Sequence, residues 1–399
     1  MDTTTVPIGW ATGTDPRCGP GRAAGTGART CASSALHGPA PHTIDKSCVT
    51  PIDAARRLRG HCAGYGRTTM AELSPRSDCP KRMVFGPCGG VRSGDRCEVD
   101  DRTCPFVGRP APAWPEARAV PTPAPRDGSA PWLLTDVRPI APTLAAAGAT
   151  ADLYAGWTDT VLLGEHHEEV DLPNVLMAQI ALDRGLSPWV TLTCRDRNRV
   201  ALEADLVALQ QLGVAGVHCV TGDARAPHVR PGSAPVFDLD SLRLTRMAAA
   251  FGLLVSVAET PQAPPIAGRP GRAADKFRAG ATWCIVNAGV TAPELEEFVR
   301  LVRRQVPDMR FVACVPVFTD AEGAERLRRL PGVRLADREV AHVLAATDPV
   351  EAGVEAAVAE ARAFLAVEGV EGVNLSGPAS THGAAERAAV MRAVTERLR

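Results

Sequence analysis

Two groups of residues in this chain have the types and spacing that chemistry requires. The first is a set of four cysteines within one short segment: Cys79, Cys88, Cys97 and Cys104. Four thiolates can close a tetrahedral Zn²⁺ site or hold an iron-sulfur cluster. Because so short a segment has little apolar surface with which to order itself, a metal is favoured over a loop with reduced thiols and no metal. Zinc is preferred, since nothing else in the chain indicates electron transfer.

The second group consists of polar residues that directly follow two apolar, strand-like runs: Arg195, Asp196, Asn198 and Asp223. The two runs are Trp189 to Thr193 and Gly216 to Thr221, with an apolar helical face between them. In a parallel sheet the residues after each strand gather at one edge, which predicts a common site. A turn at the rim whose charged residues pair with each other is the alternative for residues 195–198.

The elements that must position these residues alternate between strand and helix. Helical patterns include Pro173 to Asp183, Pro293 to Arg304 and Pro349 to Val367. Eight such units in about 270 residues predict a (β/α)8 TIM barrel of the α/β class. A doubly wound open sheet is the runner-up, disfavoured because no GxGxxG turn follows the first strand. The strand candidates are Trp132 to Val137, Thr160 to Leu163, Trp189 to Thr193, Gly216 to Thr221, Leu253 to Ala258, Thr282 to Val286, Phe311 to Val315 and Gly369 to Leu375.

Composition limits the function classes. A net charge of −1 and a pI near 6.8 give no sign of a nucleic-acid or anionic membrane surface. No apolar run is long enough for a membrane span, and the first residues lack a secretory signal, so a cytoplasmic location is expected. Of the 12 cysteines, eight precede residue 105, which favours metal binding over disulfides in that compartment. The other four lie within or at the end of strand candidates, as small core residues.

The domain organisation follows from these patterns. Residues 1–45 are predicted to be a disordered tail, because they are rich in Gly, Ala, Thr, Ser and Pro without periodicity. Residues 46–106 form the cysteine-rich metal-binding module, and residues 107–130 form a Pro/Ala-rich linker. Residues 131–399 form the barrel. The cluster GEHHEEVD at 164–171 has no HExxH spacing and is interpreted as a solvated loop.

Several motifs resemble those of the methylenetetrahydrofolate reductase family. They are TCRDRNR at Thr193 to Arg199, TGD at Thr221 to Asp223, VFDLDS at Val236 to Ser241 and KFRAGA at Lys276 to Ala281. The likeness runs from about Trp132 to the C-terminus. The marks CPK, GPCGG and CEV resemble the small cysteine-rich domain that accompanies some relatives of that reductase. That domain usually follows or accompanies the barrel, whereas here it precedes it.

The resemblance implies reduction of 5,10-methylenetetrahydrofolate to 5-methyltetrahydrofolate, through FAD reduced by NADH or NADPH. It implies that Asp136, standing where the family has Glu, is the general acid. Asp223 would be the electrostatic partner of flavin and folate, and Asn287 would bind the pterin in place of Gln. Lys276 would contact the flavin phosphate. Further cofactor contacts fall on Thr193, Arg195, Asp196, Asn198 and Gly222.

Departures from the family pattern leave alternatives open. Asp136 and Asn287 are each one methylene shorter than the family residue, which suggests a shifted ligand or a changed substrate. Thr191 stands where some relatives have His, and aromatic or His contacts are absent after the fifth strand. The alternatives are a diverged folate-dependent one-carbon or methyl-transfer enzyme, and a non-catalytic folate-binding subunit whose module docks onto a redox partner. Homo-oligomerisation is also possible.

Overall fold

The computed structural model describes residues 75–109, 111–112, 114, 130–137, 142–158, 160–165, 169–224 and 230–399. All of them belong to one compact unit of the chain, Ala55–Arg399. The predicted tail, the first part of the module and most of the predicted linker lie outside the described residues. Within the described part, none of the helices combines the length and apolar composition needed to cross a membrane.

Eight parallel strands form a closed barrel in chain order, and the last strand pairs with the first. All eight predicted strands are confirmed, with ends that shift by a few residues. They are β1 (Trp132–Val137), β2 (Thr160–Leu163), β3 (Ser187–Thr193), β4 (Gly216–Val220), β5 (Val255–Glu259), β6 (Trp283–Val286), β7 (Arg310–Phe318) and β8 (Val370–Ala379). The predicted (β/α)8 barrel is therefore confirmed, and the open sheet is excluded.

Helices cover the outside of the barrel. They are α1 (Leu144–Asp152), α2 (Asn174–Leu182), α3 (Arg199–Leu212), α4 (Ser241–Ala250), α5 (Arg269–Ala279), α6 (Ala292–Arg303), α7 (Ala321–Arg329), α8 (Asp337–Leu344), α9 (Pro349–Leu365) and α10 (Ala384–Leu398). The buried faces of α1 to α6, α9 and α10 pack on the outward strand residues as one apolar layer, whereas α7 and α8 form a separate apolar cluster with Phe318. The connection from β7 to β8 carries three helices, α7 to α9.

Three tryptophans fill the amino-terminal end of the barrel. The ring of Trp132 lies 4.6 Å from that of Trp283 and 5.2 Å from that of Trp189, between ring centroids. Gly216 makes room for them, because a Cβ there would lie 2.7 Å from the Trp189 ring. This end is therefore a packed apolar floor, and the carboxyl ends of the strands are the face where barrel enzymes place their sites.

The described part of the cysteine-rich module lies on the carboxyl end of the barrel. The Val84 N–H donates to Asp240 Oδ2 at the start of α4 (3.1 Å), and Arg272 Nη1 of α5 donates to the Phe85 carbonyl (2.8 Å). Arg269, also on α5, donates through Nη2 to the Cys88 carbonyl (3.0 Å). From the predicted linker, Trp114 is buried with its ring centroid 4.7 Å from that of Phe85. The module is thus the roof of the barrel mouth.

Candidate active site

A cavity of about 310 Å³ lies between the strand ends and the module. That volume is at the low end of the ~300–1,000 Å³ typical of small-molecule sites. Six residues predicted from the sequence line it: Thr193, Arg195, Gly222, Asp223, Lys276 and Asn287. The module contributes Lys81, Cys88, Gly89, Gly90 and Glu98 to the same wall. The structure therefore brings most of the predicted site residues together, under a roof that the sequence did not indicate.

The turn after β3 is held by its own charges. Arg195 is buried, and its guanidinium donates from Nε to Asp196 Oδ2 (3.0 Å) and from Nη1 to the Asp223 carbonyl (2.7 Å). Asn198 caps α3, because its side chain accepts from the Ala201 N–H (3.0 Å). Asp196 lines a second cavity of about 570 Å³ instead of the first. Asp196 and Asn198 thus hold the turn at the barrel rim, as the alternative for residues 195–198 predicted. Of these three residues, Arg195 alone lines the first cavity.

Asp136 lies at the carboxyl end of β1, next to β8. Its carboxylate accepts from Asn374 Nδ2 (3.0 Å at Oδ1) and from the Ser376 hydroxyl (2.5 Å at Oδ2). Of these three residues, Ser376 lines the cavity. The proposed acid therefore meets the cavity through the Ser376 hydroxyl.

Asn287 extends from the end of β6 toward the mouth of the barrel. Its backbone N–H donates to the Glu259 carbonyl (2.9 Å), and Nδ2 lies 3.3 Å from Thr260 Oγ1 and 3.5 Å from the Pro331 carbonyl. These two side-chain contacts are long for hydrogen bonds, so the amide can exchange them for a ligand at little cost. Its position agrees with the pterin-binding role that the resemblance implies.

Lys276 is engaged by the protein itself. Its ammonium donates to Glu259 Oε2 (2.7 Å) and to the Ala258 carbonyl, and Arg269 Nη1 donates to Glu259 Oε1 (3.1 Å). Although burial opposes ionisation, Lys276 and the arginines Arg269 and Arg272 lower the pKa of Glu259 to about 2. Burial lowers the pKa of Lys276, but two acceptors on its ammonium and an ionised Glu259 favour the charged pair. Two of its three N–H donors are thus used within the protein, and the flavin-phosphate contact stays a prediction.

His218 is a buried polar residue on β4 that the sequence reading missed. Its Nδ1 lies 2.9 Å from Ser256 Oγ, and the ring lines the cavity. Burial, with a smaller contribution from Lys276, lowers its pKa to about 3. The imidazole is therefore neutral at physiological pH, and its period-2 position among inward strand residues was the sequence signal for it.

Glu165, after β2, was assigned to a solvated loop, and the structure corrects this. Its side chain is 5% exposed, accepts from the Thr193 N–H (2.9 Å at Oε2) and pairs through Oε1 with Arg197. It lines both cavities. Its place directly after a predicted strand was a usable signal, as it was for Asp223.

The roof carries a buried ion pair between Lys81 and Glu98, with Nζ 2.5 Å from Oε2. Burial lowers the pKa of Lys81 and raises that of Glu98, but their mutual attraction outweighs burial, so the lysine pKa ends above and the glutamate pKa below the ordinary value. The Cys88 thiol donates to the same Oε2 (3.4 Å), and burial raises its pKa to about 12. Cys88 is therefore a protonated thiol in the cavity wall.

The four predicted metal ligands are all free thiols. Cys79 and Cys104 belong to one small apolar cluster, with Cys88 at its edge, and each of the four sulfurs receives a backbone N–H from the residue two positions on. Such donors favour a thiolate. Within the residues that the structure describes, however, no three His, Cys, Asp or Glu side chains are placed to hold a metal. As placed, the four do not fit a zinc or iron-sulfur site, which stays a prediction.

Comparison with known families gives two matches along the chain. The model described as methylenetetrahydrofolate reductase matches residues 159–376, more than half of the chain. The model described as methylene-tetrahydrofolate reductase C terminal matches residues 42–109, which include the roof. None of the curated proteins compared with the chain matches it.

Similar solved structures include a 2,3-dimethylmalate lyase of the PEP mutase/isocitrate lyase superfamily (11% identity, TM-score 0.38, covering 62% of this chain and 75% of that one). They also include dihydropteroate synthase from Thermus thermophilus (16%, 0.37, 66% and 93%) and tryptophan synthase from M. tuberculosis (12%, 0.40, 68% and 94%). At these scores the likenesses carry no argument about function.

Proposed function

The chain belongs to the methylenetetrahydrofolate reductase family, an oxidoreductase family of folate one-carbon metabolism, and from this premise we propose how its barrel cavity acts. The substrate is 5,10-methylenetetrahydrofolate, and the product is 5-methyltetrahydrofolate. A proton goes to N10 as its bond to the methylene carbon breaks, and a hydride goes to that carbon. The hydride comes from NADH or NADPH, which the family generally uses together with FAD.

One observation carries this proposal. Five of the residues that the family resemblance assigns to folate and cofactor lie at or just after the ends of β3, β4 and β6, and they line a single cavity at the carboxyl end of the barrel: Thr193, Arg195, Gly222, Asp223 and Asn287. In a (β/α)8 enzyme this is the face where chemistry takes place. A fold shared without function would not need Asp223 and Asn287 to face the same space.

We assign the polar residues of the cavity as follows. Asp223 stabilises the positive charge that develops when the methylene bridge opens to an iminium ion, because an anion nearby lowers the energy of that ion. Asn287 hydrogen-bonds the pterin edge. Asp136 in its protonated form is the source of the proton: the Ser376 hydroxyl, which contacts Asp136 and lines the cavity, donates its own proton to N10 and takes the proton of the carboxyl group. His218, neutral at physiological pH, provides a hydrogen bond without adding charge.

No step is assigned to a flavin, because Lys276 is committed to Glu259 and the Ala258 carbonyl. Flavin, zinc, a homo-oligomer, a redox partner and a cytoplasmic site of action stay predictions. An absorption spectrum of the purified chain tests for flavin, and metal analysis tests for zinc. The mass in solution tests for a homo-oligomer, and the activity of the isolated chain tests for the need of a redox partner.

The proposal is tested by anaerobic addition of NADH, and then methylenetetrahydrofolate, to the purified chain. We expect NADH to be consumed only when folate is present, with 5-methyltetrahydrofolate as the product by mass spectrometry. Asp136→Asn and Ser376→Ala should each lower kcat by about 10²-fold or more, the contribution of a positioned acid. The exposed Asp308→Asn is the matched control and should leave kcat unchanged. If Asp136→Asn keeps the wild-type activity, the assignment of Asp136 as the acid is wrong. If the wild-type chain is inactive, the proposed reductase function is wrong.

A further inference from the structure

The roof of the cavity holds an ammonium group that protein atoms satisfy only in part. Lys81 is 3% exposed, and its Nζ donates to Glu98 Oε2. An ammonium has three N–H donors. Among the residues described, Glu98 accepts the one hydrogen bond from this Nζ, and Asp223 attracts the ammonium without a hydrogen bond to it. Because Lys81 lines the cavity, its remaining donors have a polar atom of a ligand as their natural partner.

The partner of Lys81 is itself fixed against the barrel. Glu98 Oε1 accepts from the Ala224 N–H (3.0 Å), next to Asp223, while Oε2 accepts from Lys81 and from the Cys88 thiol. Gly90 lets the carboxylate lie close, because a Cβ there would be 2.1 Å from Glu98 Oε2. The ammonium is thus held in one place above the loop that carries Asp223, which is the arrangement of a preorganised binding group.

A second under-satisfied group lies on the strand side of the same cavity. The Thr193 side chain is buried at the end of β3, and its Oγ1 has no hydrogen-bond partner in the part of the chain that the structure describes. Buried hydroxyl and ammonium groups are nearly always hydrogen-bonded in folded proteins. Two such groups facing one space indicate a ligand with polar atoms on opposite sides.

We infer that Lys81 of the cysteine-rich module is a substrate-binding residue, whose ammonium donates to an acceptor oxygen of the folate held between the module and Thr193. This rests on the proposed function for the identity of the ligand. The module then contributes a side chain to the active site, a role separate from any binding of metal. Glu98 is a positioning residue that sets where the ammonium points.

The test uses the full chain and a double variant, Lys81→Met with Glu98→Gln. It removes both charges together, because removal of one would leave an unpaired buried charge and confound folding with binding. We expect the KM for methylenetetrahydrofolate and the Kd for 5-methyltetrahydrofolate to rise roughly tenfold to hundredfold, as for loss of a hydrogen bond to a charged group. The KM for the nicotinamide should not change. Arg82→Gln, which alters the exposed neighbouring cation, is the matched control.

The possible outcomes separate this inference from the proposed function. A folded double variant with the wild-type folate KM and Kd overturns the inference, while the wild-type activity still supports the proposed function. If the double variant does not fold, Lys81→Arg keeps the charge but moves the donors, and an unchanged folate KM in that variant also overturns it. A wild-type chain that neither binds nor reduces folate removes the proposed function, and with it a folate ligand for Lys81.

Discussion

Replacing Lys276 by methionine is expected to destabilise the fold more than it weakens cofactor binding. The ammonium is buried and shares Glu259 with Arg269. Its loss leaves the negative charge of Glu259, whose side chain is 1% exposed, with one cation fewer to balance it. The pKa of Glu259 is about 2 against 4.5 for the free group. At about 1.4 kcal/mol for each factor of ten in acidity, the attraction of its cationic neighbours exceeds the opposing effect of burial by about 3 kcal/mol.

Removing one partner of a buried ion pair costs about 3–5 kcal/mol, which agrees with this magnitude. We therefore expect the free energy of unfolding to fall by about 3 kcal/mol in Lys276→Met. The double variant Lys276→Met with Glu259→Gln should not recover that loss, because it leaves the buried guanidinium of Arg269 without its carboxylate partner. Arg300→Met, which breaks the exposed pair with Glu297 on α6, is the control and should leave the unfolding midpoint unchanged.

Urea unfolding at neutral pH, followed by circular dichroism, measures these differences, and a cofactor titration runs in parallel. If Lys276→Met unfolds at the wild-type midpoint but loses affinity for FAD, Lys276 is a phosphate contact and our reading of the ion pair is wrong. If Lys276 has a structural role, Lys276→Met should instead lower the unfolding midpoint and leave the affinity for FAD unchanged. The two roles therefore predict opposite changes in the midpoint and in the affinity of this one variant.

Three further predictions concern other parts of the molecule. The pKa of Glu360 on α9 is raised to about 8, chiefly by burial and also by Glu339. Ionisation of Glu360 therefore destabilises the fold as the pH rises from about 4.5 to 8, so Glu360→Gln should raise Tm at pH 8.5 but not at pH 4. An equal rise in Tm at both pH values would contradict this. Gly216→Ala should cost about 1–3 kcal/mol in urea unfolding by pressing on Trp189 without changing the folate KM, and an unchanged midpoint would refute the tight floor. Cys88, with its pKa near 12, should react with iodoacetamide far more slowly than free glutathione in peptide mapping at pH 8, and alkylation at the glutathione rate would contradict a protonated buried thiol.

The barrel was predictable from the sequence because its strands are short apolar runs at regular spacing. Asp223 was found for the same reason, since it follows a strand and the carboxyl ends of parallel strands meet, whereas Asn287 was assigned through the family resemblance. The capping role of Asn198 was also within reach, because Asn before a helical pattern is a common N-cap. Local patterns thus predicted the fold and Asp223, but not every residue at the strand ends.

Contacts between distant segments left no such pattern. Lys276 was assigned through the family resemblance, but the sequence held no sign of its buried ion pair with Glu259. Glu98 and Ala224 are far apart in sequence, and nothing periodic links them, so the docking of the module could not be predicted. For the same reason the four cysteines, evenly spread in sequence, gave no warning that Cys88 turns to Glu98.

The position of the module in the chain has a consequence for synthesis on the ribosome. The module emerges first, yet its anchoring contacts reach residues 126 to 187 positions later, from Ala224 to Arg272. Contacts of such long sequence separation form late, because loop closure must precede them. The roof therefore has nothing to rest on until α5 has been made, and its cysteines meet solvent or a chaperone before they meet the barrel. Premature capture of a thiol in that interval would leave a barrel without its cover, which links redox conditions during translation to the completeness of the site.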